Sequence, residues 1–223
     1  PNAALRALPE RIRCLGELRA LWAQGNALTV LPPGAYQLES LRVLRLEDNS
    51  FERLPQDIAG LRSLEELRLG GNGLVALPSG FGELASLRVL CLEGNRLAEL
   101  PDSFGQLLNL RSLSLSSNKL THLPRRFCGL SRLERFDACG NRFAVLPEGF
   151  GSLASLRELA LTGNPLTALP ACIGRLSELR RLMVAGCCLP SLPDEFCMLE
   201  NLEALHAARN RIASLPERFG ELR

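Results

Sequence analysis

Residues 64–86 read LEELRLGGNGLVALPSGFGELAS, and the same 23-residue pattern returns along the whole chain. The dipeptide Leu-Pro recurs ten times at this interval. Nine copies of the pattern LxxLxLxxNxLxxLPxxFGxLxx begin at Leu18 and at every 23rd residue up to Leu202, and a partial copy occupies residues 1–17. Self-similarity at a fixed period of this size indicates a stack of identical structural units, each burying its apolar face against its neighbours.

Each part of the pattern predicts a local structure. In LxxLxL the leucines alternate with polar residues, which is typical of a short strand with one buried face. An asparagine follows each strand, and we expect its side chain to satisfy backbone groups where the chain turns away. The asparagines are Asn26, Asn49, Asn72, Asn95, Asn118, Asn141, Asn164 and Asn210. Cys187 takes the remaining place and predicts a weaker link, because a thiol is a poor hydrogen-bonding group.

A second column of large apolar residues is expected in the core behind the strands. It comprises Phe81, Phe104, Phe127, Phe150, Phe196 and Phe219, with Ile58 and Ile173 in the same place. Because their period is that of the repeat, we interpret them as packing residues rather than as a binding stripe. The proline of each Leu-Pro fixes φ and suits an irregular or short helical return segment.

The pattern closely resembles the leucine-rich repeat family signature, L-x-x-L-x-L-x-x-N/C-x-L, over the entire chain. The resemblance implies an α/β solenoid shaped as a curved horseshoe. Short parallel strands would line its concave face, and loops with short helical or 3₁₀ turns its convex face. We expect one domain over residues 1–223, with a partial repeat at 1–17 and nine repeats from 18 to 223. Since neither end carries the polar capping repeat that a solenoid needs, we expect a segment of a longer protein.

The 23-residue unit ending in LPxxFGxLxx resembles the cytoplasmic class of these repeats, found in Ras-scaffold proteins, plant intracellular Ras-group proteins, LAP polarity scaffolds and Roco GTPases. The resemblance implies a cytoplasmic location. Two features agree with it: the chain has no Asn-x-Ser/Thr sequon, and its eight cysteines are scattered rather than clustered as end caps. The longest apolar stretch, residues 182–189, is far shorter than the roughly 18 residues of a membrane span, so no membrane contact is predicted.

The composition argues against catalysis and against cofactors. The chain has two His, no CxxC pair and no phosphate-binding loop, so neither a metal site nor a cofactor is predicted. In the repeat frame His206 lies three strands beyond Asp137, roughly 14 Å away, which is too far for a triad with Ser114. The net charge of +2 gives no argument for nucleic acid, and stacking on bases needs more exposed aromatics than Trp22 alone.

Candidate partner-binding residues lie between the strand leucines, where the frame predicts exposure on the concave face. Trp22, Arg45 and Arg68 form a predicted anchor cluster, because Trp and Arg are enriched in interface hot spots. The acidic group Glu47, Asp48, Glu66 and Glu93 lies beside the arginines, so a face whose charges pair with each other is the alternative. A second alternative is that Trp22 covers the N-terminal edge. The remaining candidates are in the C-terminal half: Arg135, Asp137, Arg181, Met183, His206 and Arg209.

The C-terminal half has a local charge excess of +3, from five arginines against Asp137 and Glu158. The arginines are Arg135, Arg142, Arg181, Arg209 and Arg211. An acidic partner would be steered there, unless these are simply solvated side chains.

The first functional hypothesis is a monomeric protein–protein interaction module or scaffold in intracellular signalling. The resemblance implies a small GTPase, a phosphatase subunit or an adjoining domain as its partner. A second hypothesis is the targeting or autoinhibitory arm of a larger enzyme, such as a Roco GTPase, kinase or ubiquitin ligase, and a third is an innate-immune sensor. Convex residues, among them Arg125, Arg126 and Arg132, stay candidates beside the concave face.

Overall fold

The computed structural model of the protein describes residues 4–221, and it contains one open sheet of nine parallel strands. Neighbours in the chain are neighbours in the sheet, and every residue pairs with the residue 23 positions later, as in Leu67 with Leu90. The strands are β1 (Ala20–Trp22), β2 (Val43–Arg45), β3 (Glu66–Arg68), β4 (Val89–Cys91), β5 (Ser112–Ser114), β6 (Arg135–Asp137), β7 (Glu158–Ala160), β8 (Arg181–Met183) and β9 (Ala204–His206). The predicted leucine-rich solenoid is confirmed.

Each return segment forms one short 3₁₀ helix, and all ten begin directly after the proline of a Leu-Pro. The proline is extended at the helix N-cap, with φ −71° and ψ 145° at Pro9, so its fixed φ sets the entry into the turn. The 3₁₀ helices are Glu10–Cys14, Pro33–Gln37, Gln56–Gly60, Ser79–Glu83, Asp102–Gln106, Arg125–Gly129, Glu148–Ser152, Ala171–Arg175, Asp194–Met198 and Glu217–Glu221. No helix within residues 4–221 meets the length and apolarity that crossing a bilayer requires.

The core lies between the sheet and the 3₁₀ helices, and the phenylalanine column fills it as predicted. Phe81, Phe104 and Phe127 are fully buried, and their rings stack with centroids 6.2 Å apart at each step. Parallel strands are spaced by only about 4.8 Å. Because the ring column advances further per repeat than the sheet does, the stack bends with the sheet on its inner, concave side.

The asparagine column ties each repeat to the one before it. Asn141 is buried; its Oδ1 accepts the amide N–H of Leu120 at 3.0 Å, and its Nδ2 donates to the carbonyl oxygen of Leu115 at 2.8 Å. Both partners belong to the preceding repeat. The thiol of Cys187 donates to Leu161 at 3.4 Å, but within the described chain it accepts no bond from Leu166, which holds the place of Leu120. The weaker link predicted at Cys187 is therefore present as a donated bond without the bond that Asn141 accepts in the same place.

We expect Cys187→Asn to raise the free energy of unfolding by about 1 kcal/mol, since it supplies the missing acceptor to a buried amide. The matched reverse change, Asn141→Cys, should lower it by about 1–3 kcal/mol. Urea unfolding followed by circular dichroism measures both. A stabilising Asn141→Cys, or a destabilising Cys187→Asn, would contradict this account of the column.

The residue before each asparagine place has a left-handed backbone in all nine repeats. Six are glycines with φ between 62° and 73°, namely Gly25, Gly71, Gly94, Gly140, Gly163 and Gly186. The other three are Asp48 at 53°, Ser117 at 55° and Arg209 at 57°. Only glycine adopts this conformation without steric cost. The turn that ends each strand is therefore dictated by the fold, whichever residue occupies it.

A second glycine column lets adjacent 3₁₀ helices approach closely. A Cβ on Gly105 would overlap the backbone carbonyl of Arg126 in the next repeat, whereas a Cβ on Gly129 would find its nearest atom 3.8 Å away.

Gly105→Ala should therefore lower the free energy of unfolding by about 1–3 kcal/mol, because the backbone of the next repeat must move. Gly129→Ala is the control and should change it little. Equal effects of the two substitutions in urea unfolding would count against the close approach.

Candidate functional site

The exposed face of the sheet carries its side chains in columns set by the strand register. One column runs Trp22, Arg45, Arg68, Cys91, Ser114, Asp137, Ala160, Met183 and His206. A neighbouring column begins with Ala20, Val43 and Glu66, and a third follows each strand with Glu47, Gly70 and Glu93. Nine of the ten predicted partner-binding residues lie in these columns, and the tenth, Arg209, follows β9.

Trp22 projects from the first strand with 63% of its surface exposed. The guanidinium carbon of Arg45 lies over the indole ring, 5.5 Å from its centroid, which is within cation–π distance. The indole is an accessible aromatic surface with a charged neighbour on one side.

Glu66 binds both predicted anchor arginines and makes them one network. Its Oε1 is 2.6 Å from Nε of Arg68 and 2.9 Å from Nη2 of Arg45. Burial would raise the pKa of the Glu66 carboxyl, but the hydrogen bonds and charges of Arg68 and Arg45 outweigh burial and lower it. The charge pairing expected as an alternative is present here. Both arginines are therefore oriented before any partner arrives.

The third column contains two carboxylates separated by a glycine. Glu47 lies 3.9 Å from Arg68, and a Cβ placed on Gly70 would be 2.6 Å from Oε1 of Glu93. One oxygen of Glu47 and one of Glu93 are withdrawn from solvent without a hydrogen-bond partner. Burial, and after it the charge of Glu93, raises the pKa of the nearby Cys91 thiol to about 11. Sequence reasoning placed Glu66 and Glu93 in the acidic group beside the arginines but did not select them as partner-binding residues. It did not single out Gly70, although a glycine interrupting a polar column is visible in the sequence.

The C-terminal candidates do not form a comparable cluster. Arg181 and Glu158 form an exposed ion pair of 3.4 Å. Asp137 accepts the amide N–H of Cys139 at 3.0 Å, so its carboxylate stabilises the end of its own strand. Arg209 lies in a left-handed turn beyond the sheet. The structure thus leaves these residues as separate surface groups, along with Arg135, Met183 and His206 on the sheet face.

The candidate metal ligands and the cysteines are scattered over the described part of the chain. Residues 4–221 contain no group of three or more His, Cys, Asp or Glu side chains suited to a metal ion. All eight cysteines lie within that range and are unpaired, including Cys172 and Cys197, which the repeat frame places in neighbouring repeats. The arrangement can therefore bind through charge, hydrogen bonds and one aromatic surface.

Two family models match the chain, a leucine-rich repeat at residues 14–74 and a leucine-rich repeat region at residues 78–169, together more than half of it. The chain belongs to the leucine-rich repeat family. Among curated proteins, no sequence matches this leucine-rich repeat chain.

Several solved structures share the fold over nearly the whole chain. A leucine-rich repeat protein of Leptospira interrogans is 32% identical with a TM-score of 0.90, over 98% of this chain and 62% of its own. A TDR receptor is 33% identical with a TM-score of 0.86, over 97% of this chain and 39% of its own. The structure of PEPR1–AtPEP1 is 26% identical with a TM-score of 0.75, over 97% of this chain and 35% of its own. The chain thus spans under two thirds of the length of these similar proteins.

The network around Glu66 predicts a pH-dependent contribution to stability. Because the pKa of Glu66 is lower in the folded state, its contribution is present above the unfolded pKa and is lost as pH falls through the folded pKa. At pH 7, Glu66→Gln should lower the free energy of unfolding by about 1 kcal/mol, and the difference from the parent should shrink towards pH 3. Urea unfolding at both pH values measures it. Glu158→Gln, which removes an exposed pair, should change stability less; a pH-independent loss in Glu66→Gln would refute the assignment.

Proposed function

We propose that this leucine-rich repeat chain is a protein–protein interaction module of intracellular signalling that binds its partner through the concave sheet. Leucine-rich repeat proteins are generally binding modules rather than enzymes, and the similar structures include a receptor and a PEPR1–AtPEP1 pair. The observation that carries the proposal is Trp22. An indole exposed over 63% of its surface, beside arginines already fixed by Glu66, has the composition of an interface hot spot.

The proposed partner is a small GTPase, a phosphatase subunit or an adjoining domain, bound by a monomer in the cytoplasm. What supports this is the resemblance of the 23-residue unit to the repeats of Ras-scaffold and Roco proteins. An ordered anchor also reduces the entropy that binding costs, because Arg45 is held against Trp22 and Glu66 beforehand. The surface thus suits a partner that approaches the inner face near β1–β3.

The test compares the chain with two variants in binding to purified Ras-type GTPases and phosphatase catalytic subunits, measured by biolayer interferometry. The first variant combines Trp22→Ala with Arg45→Ala; alanine is preferred to a reversed charge, which would lie beside Glu66. The second, Val145→Ala, is the control, because Val145 is 60% exposed but lies outside the strands. Circular dichroism verifies that all three are folded.

We expect a partner of one class to bind the parent and the control equally and the double variant at least roughly tenfold more weakly. Equal binding by all three would remove the concave anchor from the proposal. Binding of none of these proteins would refute the small GTPase and the phosphatase subunit as partners. Sedimentation of the free chain as a dimer would contradict the proposed monomer.

A further inference from the structure

The repeats are joined less completely at one place, between the seventh repeat (156–178) and the eighth (179–201). At every other junction between the nine repeats, an asparagine accepts an N–H of the preceding repeat and donates to one of its carbonyl oxygens. Cys187 holds that place in the eighth repeat and only donates, to Leu161 at 3.4 Å. Within the described chain no acceptor reaches the amide of Leu166. Because Leu166 is fully buried, bulk water does not replace the acceptor.

The aromatic column in the core is interrupted at the same junction. Phe196 of the eighth repeat stacks on Phe219 of the ninth, with ring centroids 6.1 Å apart and 11° between the ring planes. The same position in the seventh repeat is Ile173, which is buried but has no ring. Ring stacking therefore joins the eighth repeat to the ninth and not to the seventh.

The junction between the eighth and ninth repeats, by contrast, has the full set of contacts. Asn210 accepts the N–H of Leu189 at 3.1 Å and donates to the carbonyl oxygen of Val184 at 2.7 Å. An ion pair of 2.6 Å between Arg180 and Glu203 crosses the same junction. Together with the stacked rings, these contacts make the two repeats one unit.

The junction between the sixth and seventh repeats lacks a different bond but has a replacement for it. Pro165 has no N–H, so the inter-repeat bond that the amide of Arg142 makes one repeat earlier is missing. Thr167 compensates, because its N–H and its hydroxyl both donate to the carbonyl oxygen of Ala144, at 3.0 and 3.3 Å. The loss without compensation is therefore the later one, between the seventh and eighth repeats.

We propose that the solenoid opens at this later junction, so that the chain from Leu179 onward unfolds as one unit while the repeats before it stay folded. In a repeat protein, stability is approximately the sum of each repeat's own stability and of its interfaces with its neighbours. Opening therefore divides the stack where the interface contributes least, and repeats joined by a complete interface open together.

The opening changes the concave face of the sheet. It removes β8 and β9, and with them Met183 and His206, while the strands that carry Trp22 and Arg45 stay in place. A partner that contacts both parts binds only the closed form, and its binding stabilises that form by mass action. The junction thus couples binding on the far part of the face to the folding of the eighth and ninth repeats.

Native-state hydrogen exchange of the full chain, followed by mass spectrometry in increasing sub-denaturing urea, tests this inference. We expect the amides of the eighth and ninth repeats to exchange through one shared opening, at lower urea than the amides of the second to seventh repeats. Cys187→Asn supplies the missing acceptor to Leu166. It should slow exchange of the unit roughly tenfold, because one hydrogen bond to a buried amide changes the opening equilibrium by about that factor.

A double variant is the matched control. Combining Cys187→Asn with Asn164→Cys moves the defect one junction earlier, because Asn164 accepts the N–H of Phe143 in the preceding repeat. The unit that exchanges together should then begin at Leu156. Circular dichroism verifies that both variants are folded.

Separate exchange of the eighth and ninth repeats, or a boundary at another junction, would overturn the inference. An exchange rate left unchanged by Cys187→Asn would overturn it as well. If the double variant does not fold, Cys187→Asn alone decides, because that change adds a bond and removes none of those described. The measurement uses the free chain, so its outcome is independent of the partner proposed above.

Discussion

The strict register of 23 residues between strands is the constraint on which the rest of the structure depends. It places every side chain of one repeat directly beside its counterpart in the next, so one favourable contact is repeated along the stack. The buried asparagines enforce it, because Oδ1 and Nδ2 of Asn141 can both reach the preceding repeat only in this register. An insertion inside the strand segment would break those bonds on both sides, whereas the exposed return segments tolerate variation more readily.

The same register explains why the fold was predictable from the sequence and much of the site was not. Period and leucine alternation specify which residues are buried, and Phe81, Phe104 and Phe127 are in the core for that reason. The exposure of Trp22 followed from the same frame. Which arginine pairs with which carboxylate depends on side-chain torsions, and a repeat frame carries no information about these. Glu66 therefore appeared in the sequence as a neighbour, and only the structure shows it bridging Arg45 and Arg68.

The sheet face divides into residues that serve the fold and residues free to serve recognition. Asp137 bonds to the end of its own strand, and Arg209 occupies a turn whose left-handed backbone is common to all nine repeats. Around β1–β4 the balance is different, because an indole is exposed and two carboxylate oxygens lack partners.

The unequal advance of the two layers, 6.2 Å between stacked rings and about 4.8 Å between strands, gives the chain the mechanics of a curved spring. Straightening the arc requires the inner strands to separate or the rings to compress, and both the hydrogen-bonded ladder and the close-packed core resist this. Bending is then shared among many junctions, each moving little. A ligand that contacts several strands of the inner face would resist their separation and so make the whole solenoid stiffer.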